Sequence, residues 1–445
     1  MTSLTRATPS FFFVVPLVLA VMLVAGPGPA HGQAASPVTL NLVSWSYGVE
    51  IVRDNIEKFQ QRYPGVVVKY SDFSWATYHD AMVARFASKT PTDVLYSSDH
   101  WLQEWAAAGW IVPVDEHFPQ VRQYLAEYSP FVREALTYKG RIYGTPYYAD
   151  TFIFVYNADH LQKAGFKAPP ATLDEWTRQA EAIKAKGIAE FPIALGWGQQ
   201  DPFSIESFTA LVFAQQNGTM FDKALTPAFK ASGSAAEKVV AWATDALQAK
   251  KILGPTSLQA MNIDMIKALQ AGAATFGVIP SYSLAVLNDP GQTQQAGKFK
   301  IALMPGESHA TVGFIRFYAI SAQVPKRGKE SMTAAWNFLD YFGGKIDGEY
   351  RVTKRWSLEK GLGFAQTALF GDKEIRTAFG KWADVDMLQK QADLARAKEG
   401  MTSYYGTWDV FSRAELHKAY LGQQKPAESL ANMAKKWEEL RAKAK

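Results

Sequence analysis

The sequence predicts an α/β protein built as two lobes. Three observations carry this: strand, helix, strand units follow one another from residue 38 onward; the chain has 445 residues with 48% hydrophobic side chains; and the helix-rich region after residue 170 encloses further short strands. A chain of this size holds more than one core. Strands that alternate with helices pack as sheets covered by helices.

In chain order, residues 38–43 alternate as a strand, and residues 49–63 place Val52, Ile56 and Phe59 at helical spacing before Pro64-Gly65 stops them. Residues 66–70 read as a strand, 78–87 as a helix, 93–96 as a strand and 101–108 as a helix, which together predict a mostly parallel sheet. Helices are expected over 173–186, 204–216, 234–250 and 257–271, with short strands at 192–195 and 274–279. A turn at Asn288-Asp289-Pro290-Gly291 precedes strands at 299–304 and 314–321 and a helix at 332–342. The last helix, 427–445, carries Leu430, Met433, Trp437 and Leu440 on one side.

The first residues have a different character. Arg6, an apolar run over 11–25, Gly26-Pro27-Gly28-Pro29 and small residues ending near Ala34 have the layout of a secretory signal peptide. The apolar part is shorter than the roughly 20 residues a membrane span needs. The expected product is exported to the periplasm. The absence of cysteine predicts no lipid anchor and excludes disulfides, thiolate catalysis and Cys-based metal sites. Removing Arg6 takes the formal charge from +5 to +4, with 46 basic against 42 acidic residues. The charges are interspersed, which excludes a nucleic-acid face.

Candidate binding residues come from two places. In open α/β sheets ligands lie beyond the carboxyl ends of the strands. The loops 44–48, 71–75 and 97–101 therefore converge on one rim with Trp45, Tyr47, Trp75, Asp99 and Trp101, although Trp75 shares helical spacing with Tyr78 and Met82, which favours packing. Between Lys139 and Gly165, strands at 141–143 and 152–156 flank a polar, aromatic loop bearing Tyr147, Tyr148 and Asp150. Rings that stack on C–H faces and a carboxylate that accepts from hydroxyls suit a polyhydroxylated ligand. No Gly-x-Ser-x-Gly elbow, phosphate loop or His-Glu-x-x-His helix is present, so the enzymatic alternative reduces to an exported glycoside hydrolase using Asp99 and Asp150.

The block from Asn157 to Trp176, with a short helix closed by Gly165, then Pro169-Pro170 and a helix opening at Thr172, resembles the mid-chain signature of the extracellular solute-binding proteins of family 1, which deliver sugars to ABC importers. FQQRYPGVVVKY (59–70), PTDVLYSSDHWLQEWAAAGWIVPVDE (91–116), NDPGQTQQAGKFKIALMPG (288–306) and KPAESLANMAKKWEEL (425–440) are similar to further family segments in the same order.

The resemblance implies a two-lobe periplasmic-binding-protein fold of type II, each lobe a mainly parallel sheet flanked by helices. It places the lobes at 37–148 plus 310–354 and at 149–309 plus 355–445. Crossings are expected near 147–151, 304–313 and 354–361, with a cleft that closes on its ligand.

It also implies the ligand residues. Tyr148 and Asp150 match the family's Tyr-x-Asp. Asp99 and Trp101 fall on its loop before the Ala-rich helix, Trp45, Ser46 and Tyr47 on its first-strand loop, and Trp197 at a cleft aromatic; Tyr147 is a further candidate. Gly313 and Phe314 are further ligand-binding candidates, although the chain departs from the pattern beside them: Ile279 and Ile315 stand where many sugar binders have Trp. Arg316 and Arg355 suit either an anionic or strongly polar substituent or salt bridges. The implied partners are a sugar or sugar derivative and an inner-membrane ABC permease, or else a sensor, for a monomer with no metal or cofactor.

Overall fold

Runs rich in Val, Leu and Tyr form β1 (Val38–Trp45), β2 (Val66–Phe73) and β3 (Val94–Ser98), which lie parallel in the order β2-β1-β3. Parallel neighbours need helical crossovers, and the helices Val49–Arg62 and Trp75–Ser88 supply them. In the first of these, Ile51, Val52, Ile56 and Phe59 form the buried face, as the 3.6-residue spacing requires. The computed structural model describes residues 37–444, so the expected signal segment 1–34 lies outside the described residues.

A small hairpin, β4 (Thr137–Tyr138) with β5 (Arg141–Ile142), precedes the long strand β6 (Thr145–Asn157). Then come β7 (Ile193–Ala194), β8 (Phe276–Pro280), β9 (Phe299–Ala302), β10 (Thr311–Ile320) and β11 (Ala395–Arg396). The main sheet runs β2-β1-β3-β10-β6-β8-β7, with β9 on β6 and β11 on β10. The flanks are parallel where strands are joined through helices, β2-β1-β3 on one side and β8-β7 on the other. The centre is antiparallel, because β6 and β10 run from one flank into the other and pair with each other on the way. The expectation of mainly parallel sheets therefore holds for the flanks and fails at the junction.

Three local expectations change. Residues 141–156 are not a hairpin around a polar loop, because Tyr147, Tyr148 and Asp150 sit inside β6 and are buried. The first part of β6 pairs with β10, and Phe152–Tyr156 pairs with β8. The register with β10 slips at Tyr147, beside Pro146, which has no N–H to give the ladder. The helix expected over 257–271 divides into a 3₁₀ turn, Pro255–Leu258, and the helix Asn262–Gln270; Asp264 draws the Met261 N–H away at 3.1 Å and opens the second piece. The crossing expected at 354–361 is helical, within Arg351–Lys360.

Trp105, Trp176, Trp197, Trp356, Trp408 and Trp437 are among the largest fully buried side chains. Each withdraws about 150–250 Å² from water. The C-terminal helix Pro426–Lys443 docks through Leu430, Met433 and Trp437, the stripe its sequence spells out. No helix among the described residues is long and apolar enough to cross a membrane.

Candidate functional site

The carboxyl end of β3 meets the middle of β10, where the backbone of Asp99 donates to the Ile315 carbonyl at 3.3 Å. This contact carries Asp99 and His100 toward Arg316. Arg316 is 1% exposed, and its Nη1 donates to Asp99 Oδ1 at 3.2 Å. Its guanidinium lies 4.7 Å from the Trp75 ring centre and 5.1 Å from that of Phe314, a cation–π seat between the two elements.

A second cation completes the cluster. Lys398, just beyond β11, donates from Nζ to Asp99 Oδ1 at 3.0 Å and to Glu206 Oε1 at 2.5 Å. Glu206 belongs to the helix Phe203–Ala214, whose other buried side chains are mostly apolar. His100 lies between carboxylates, with Nδ1 3.4 Å from Glu206 and Nε2 3.3 Å from Asp409, and Asp409 is held by Arg413 at 2.9 Å.

Burial and the neighbouring Lys398 press the His100 pKa down, but hydrogen bonds to Asp409 and Glu206 outweigh them and raise it above the usual value. Burial pushes the Glu206 pKa up, whereas Lys398, His100 and Arg316 pull it down to about 2, so the group stays ionised.

The cluster is not fully satisfied. Among the described residues Asp99 Oδ2, Glu206 Oε2 and Arg316 Nε have no hydrogen-bond partner. A buried polar atom left in that state costs about 1–3 kcal/mol. A groove of about 590 Å³ opens between Trp75, Trp101, His100, Asp409 and Arg413, and another of about 430 Å³ reaches Asp99 and Lys398. Both volumes fall in the range of small-molecule sites.

The loops expected on one rim do converge. Trp45 stacks on Tyr47 at 4.5 Å, and Trp75 on Trp101 at 5.0 Å, with 6.5 Å between Trp45 and Trp75. Tyr148 lies edge-on to Phe314 at 6.4 Å and to Tyr282 at 6.3 Å, beside the cluster. Burial raises its pKa well above the usual range, against the pull of Arg316. Tyr147 packs on Trp356 at 4.9 Å and Tyr318 at 5.1 Å, and Ser46 is exposed at the rim.

Asp150 is 3% exposed and accepts from Thr151 N at 2.8 Å and from Ser281 Oγ, which ties β6 to the segment after β8. Burial raises its pKa to about 6 despite those donors.

Three expected site residues are placed elsewhere. Trp197 is fully buried, stacks on Tyr420 at 4.7 Å and donates from Nε1 to Ser207, so it is core between two helices. Arg355 lies on the helix Arg351–Lys360, paired with Asp54, with Asn55 at 3.1 Å and with Glu359 at 2.7 Å, and its charge is used there. Gly313 has the Phe131 ring where a β-carbon would be, 2.5 Å away, so its role is close packing. Arg355→Ala is expected to change stability by no more than about 1 kcal/mol and to leave ligand affinity unchanged, which a melting curve and a titration would check.

Sequence reasoning missed Glu206, His100, Lys398, Asp409 and Arg413. For Glu206 a signal existed, since one carboxylate in the apolar run Phe203–Ala214 calls for a buried partner. For Lys398 the sequence carries none.

The profile of the family described as bacterial extracellular solute-binding protein matches residues 45–346. The chain belongs to that family. An uncharacterized lipoprotein of Streptomyces antibioticus is 24% identical to this solute-binding protein over 196 residues, 43% of each chain. The chain thus spans less than half the length of the curated relatives it matches first, 43% and 40%. The mannitol-binding protein of Pseudomonas aeruginosa is 23% identical over 316 residues, 69% of each. Among solved structures, maltose-bound MalE3 of T. maritima aligns with a TM-score of 0.77 at 21% identity, covering 91% of this chain and 100% of that one. The solute-binding protein therefore has the two-lobe, type II periplasmic-binding fold.

Proposed function

We propose that this chain captures a sugar or polyol at the Asp99, Arg316, Glu206 and Lys398 cluster and delivers it unaltered to an inner-membrane ABC permease. The observation that carries the reading is the group of buried, unpartnered polar atoms at the junction of β3, β10 and the helix Phe203–Ala214. Aromatic faces at Trp75, Trp101 and Tyr282 surround it, the mixture of charge and ring that hydroxyl-rich ligands need. The mannitol-binding relative and the maltose-bound structure support a ligand of this class.

The lobes correspond to 37–148 plus 310–354 and 149–309 plus 355–445. The cluster joins Asp99 and Arg316 of one to Glu206 and Lys398 of the other, so closure assembles it. The protein works as a periplasmic monomer, and it binds without catalysis. Asp99 pairs with Arg316 and Lys398, and Asp150 is engaged by Ser281 and Thr151.

A thermal-shift screen of pentoses, hexoses, disaccharides and polyols tests the reading. A true ligand at 100 times its dissociation constant is expected to add about 2.7 kcal/mol of stability. Aryl glycosides are expected to stay intact in the presence of the protein. A screen with no shift, or measurable turnover, would defeat the proposal.

A further inference from the structure

His100 follows β3 in the first lobe, yet that lobe gives its ring no partner. Its backbone N–H donates to Ser98 Oγ at 3.1 Å, and Asp99 beside it is paired with Arg316. Both ring nitrogens instead face carboxylates of the second lobe. Nδ1 is 3.4 Å from Glu206 Oε1, and Nε2 is 3.3 Å from Asp409 Oδ2. A neutral imidazole has one N–H, so it donates to one of these oxygens and turns a lone pair toward the other. The imidazolium donates to both.

The remaining charges around the ring accommodate that form. From the segment after β11, Lys398 Nζ lies 3.5 Å from Nδ1, the one donor from which a neutral ring would accept. Its shorter contacts go to Glu206 at 2.5 Å and Asp99 at 3.0 Å. The helix Tyr405–Tyr420 brings Asp409, Arg413 paired with it, and the Tyr405 ring edge-on at 5.1 Å. Arg316, Lys398 and Arg413 balance Asp99, Glu206 and Asp409. Asp201, buried and under the attraction of Arg413, is a fourth carboxylate, and the imidazolium is the fourth cation.

Opening the lobes leaves Asp99 with Arg316, Glu206 with Lys398 and Asp409 with Arg413, because each of these pairs lies within one lobe. Only the His100 contacts and the bridge from Lys398 to Asp99 cross between them. Separated, His100 meets water along the groove it lines and titrates near the ordinary value of about 6.5. Closed, it is held above that value by Asp409 and Glu206, against burial and Lys398. Closure therefore takes up a proton. The stabilisation is fully present below about pH 6.5 and is lost as pH rises through the closed-state value.

We propose that His100 is a proton-operated latch: its imidazolium bridges Glu206 and Asp409, holding the empty protein closed in acid, and loss of the proton frees the lobes to open. This rests on the two-lobe reading and not on which solute is captured.

The sequence has no cysteine, so Glu57→Cys and Lys435→Cys, at exposed positions of the helices Val49–Arg62 and Pro426–Lys443, accept a donor and an acceptor dye. Energy transfer in the ligand-free chain is expected to show the closed-to-open ratio rising about threefold or more from pH 8 to pH 6. The rise is at most about tenfold per pH unit, because one proton is taken up. His100→Gln cannot titrate and is expected to lose the dependence. His79→Gln is the control. His79 also faces carboxylates, Glu104 at 2.9 Å and Asp80 at 3.2 Å, but both belong to its own lobe, so the wild-type profile is expected to persist. A wild-type ratio that is flat or falls on acidification, or a rise that survives in His100→Gln, overturns the latch. Nitrogen-15 spectra of the wild type give a second readout that needs no variant to fold. Both His100 ring nitrogens are expected to carry protons at pH 6, and a neutral tautomer there overturns the latch as well. A solute screen without a hit bears on capture alone.

Discussion

Replacing Lys398 by methionine is expected to abolish ligand binding and to remove about 3–5 kcal/mol of unfolding free energy, the loss typical of a buried ion pair deprived of one partner. The ammonium is the only group that touches both Asp99 and Glu206 among the described residues. Without it two buried carboxylates share a site with only Arg316 and His100 to offset them.

Urea unfolding checks the magnitude, and an unchanged slope would show that the native state alone has been affected. Adding Glu206→Gln to Lys398→Met is expected to restore part of the loss, because one of the two stranded charges disappears. Additive effects would mean that the residues do not act as one network. His100 supplies an independent readout. Lys398 lowers its pKa, so in Lys398→Met the imidazole is expected to hold its proton to higher pH, as NMR titration would show.

The network also marks the limit of what the sequence reveals. Trp45, Tyr47, Asp99 and Trp101 are legible because a parallel strand followed by a helix places its loop at the carboxyl edge of the sheet, whatever the rest of the chain does. Lys398 pairs with Asp99 across 299 residues and with Glu206 across 192, and no local pattern encodes a contact of that span.

The stretch around Tyr148 misleads for a related reason. Gly144, Pro146 and Asp150 look like turn residues when read locally. In the fold, Gly144 is small because the Tyr318 carbonyl lies 2.1 Å from where its β-carbon would be. Pro146 falls at the register slip, and Asp150 finds its donor on Ser281, 131 residues away. Central strands paired on both sides satisfy polar groups through distant partners, so their polarity does not signal a loop. Trp197 and Arg355 show the reverse error, in which an aromatic or a charge at a plausible position has already been consumed by Tyr420 and Asp54.

Asp150 contributes its own pH dependence to stability. Its carboxyl pKa rises from an ordinary 3.8 to about 6 because burial disfavours the anion more than Ser281 and Thr151 favour it. A native pKa above the unfolded one means that the folded state binds the proton more tightly. The group therefore costs stability above pH 6, and that cost disappears as pH falls toward the unfolded value. Relative to Asp150→Asn, which cannot titrate, the ligand-free wild type is expected to gain about 1.4 kcal/mol for each pH unit of acidification through this interval, about 3 kcal/mol in all. The comparison between the two proteins cancels contributions from other titrating groups such as His100. Denaturant unfolding of both proteins between pH 4 and pH 7.5 measures the difference directly. Parallel profiles would mean that the Asp150 carboxyl reaches solvent and that its contact with Ser281 is open.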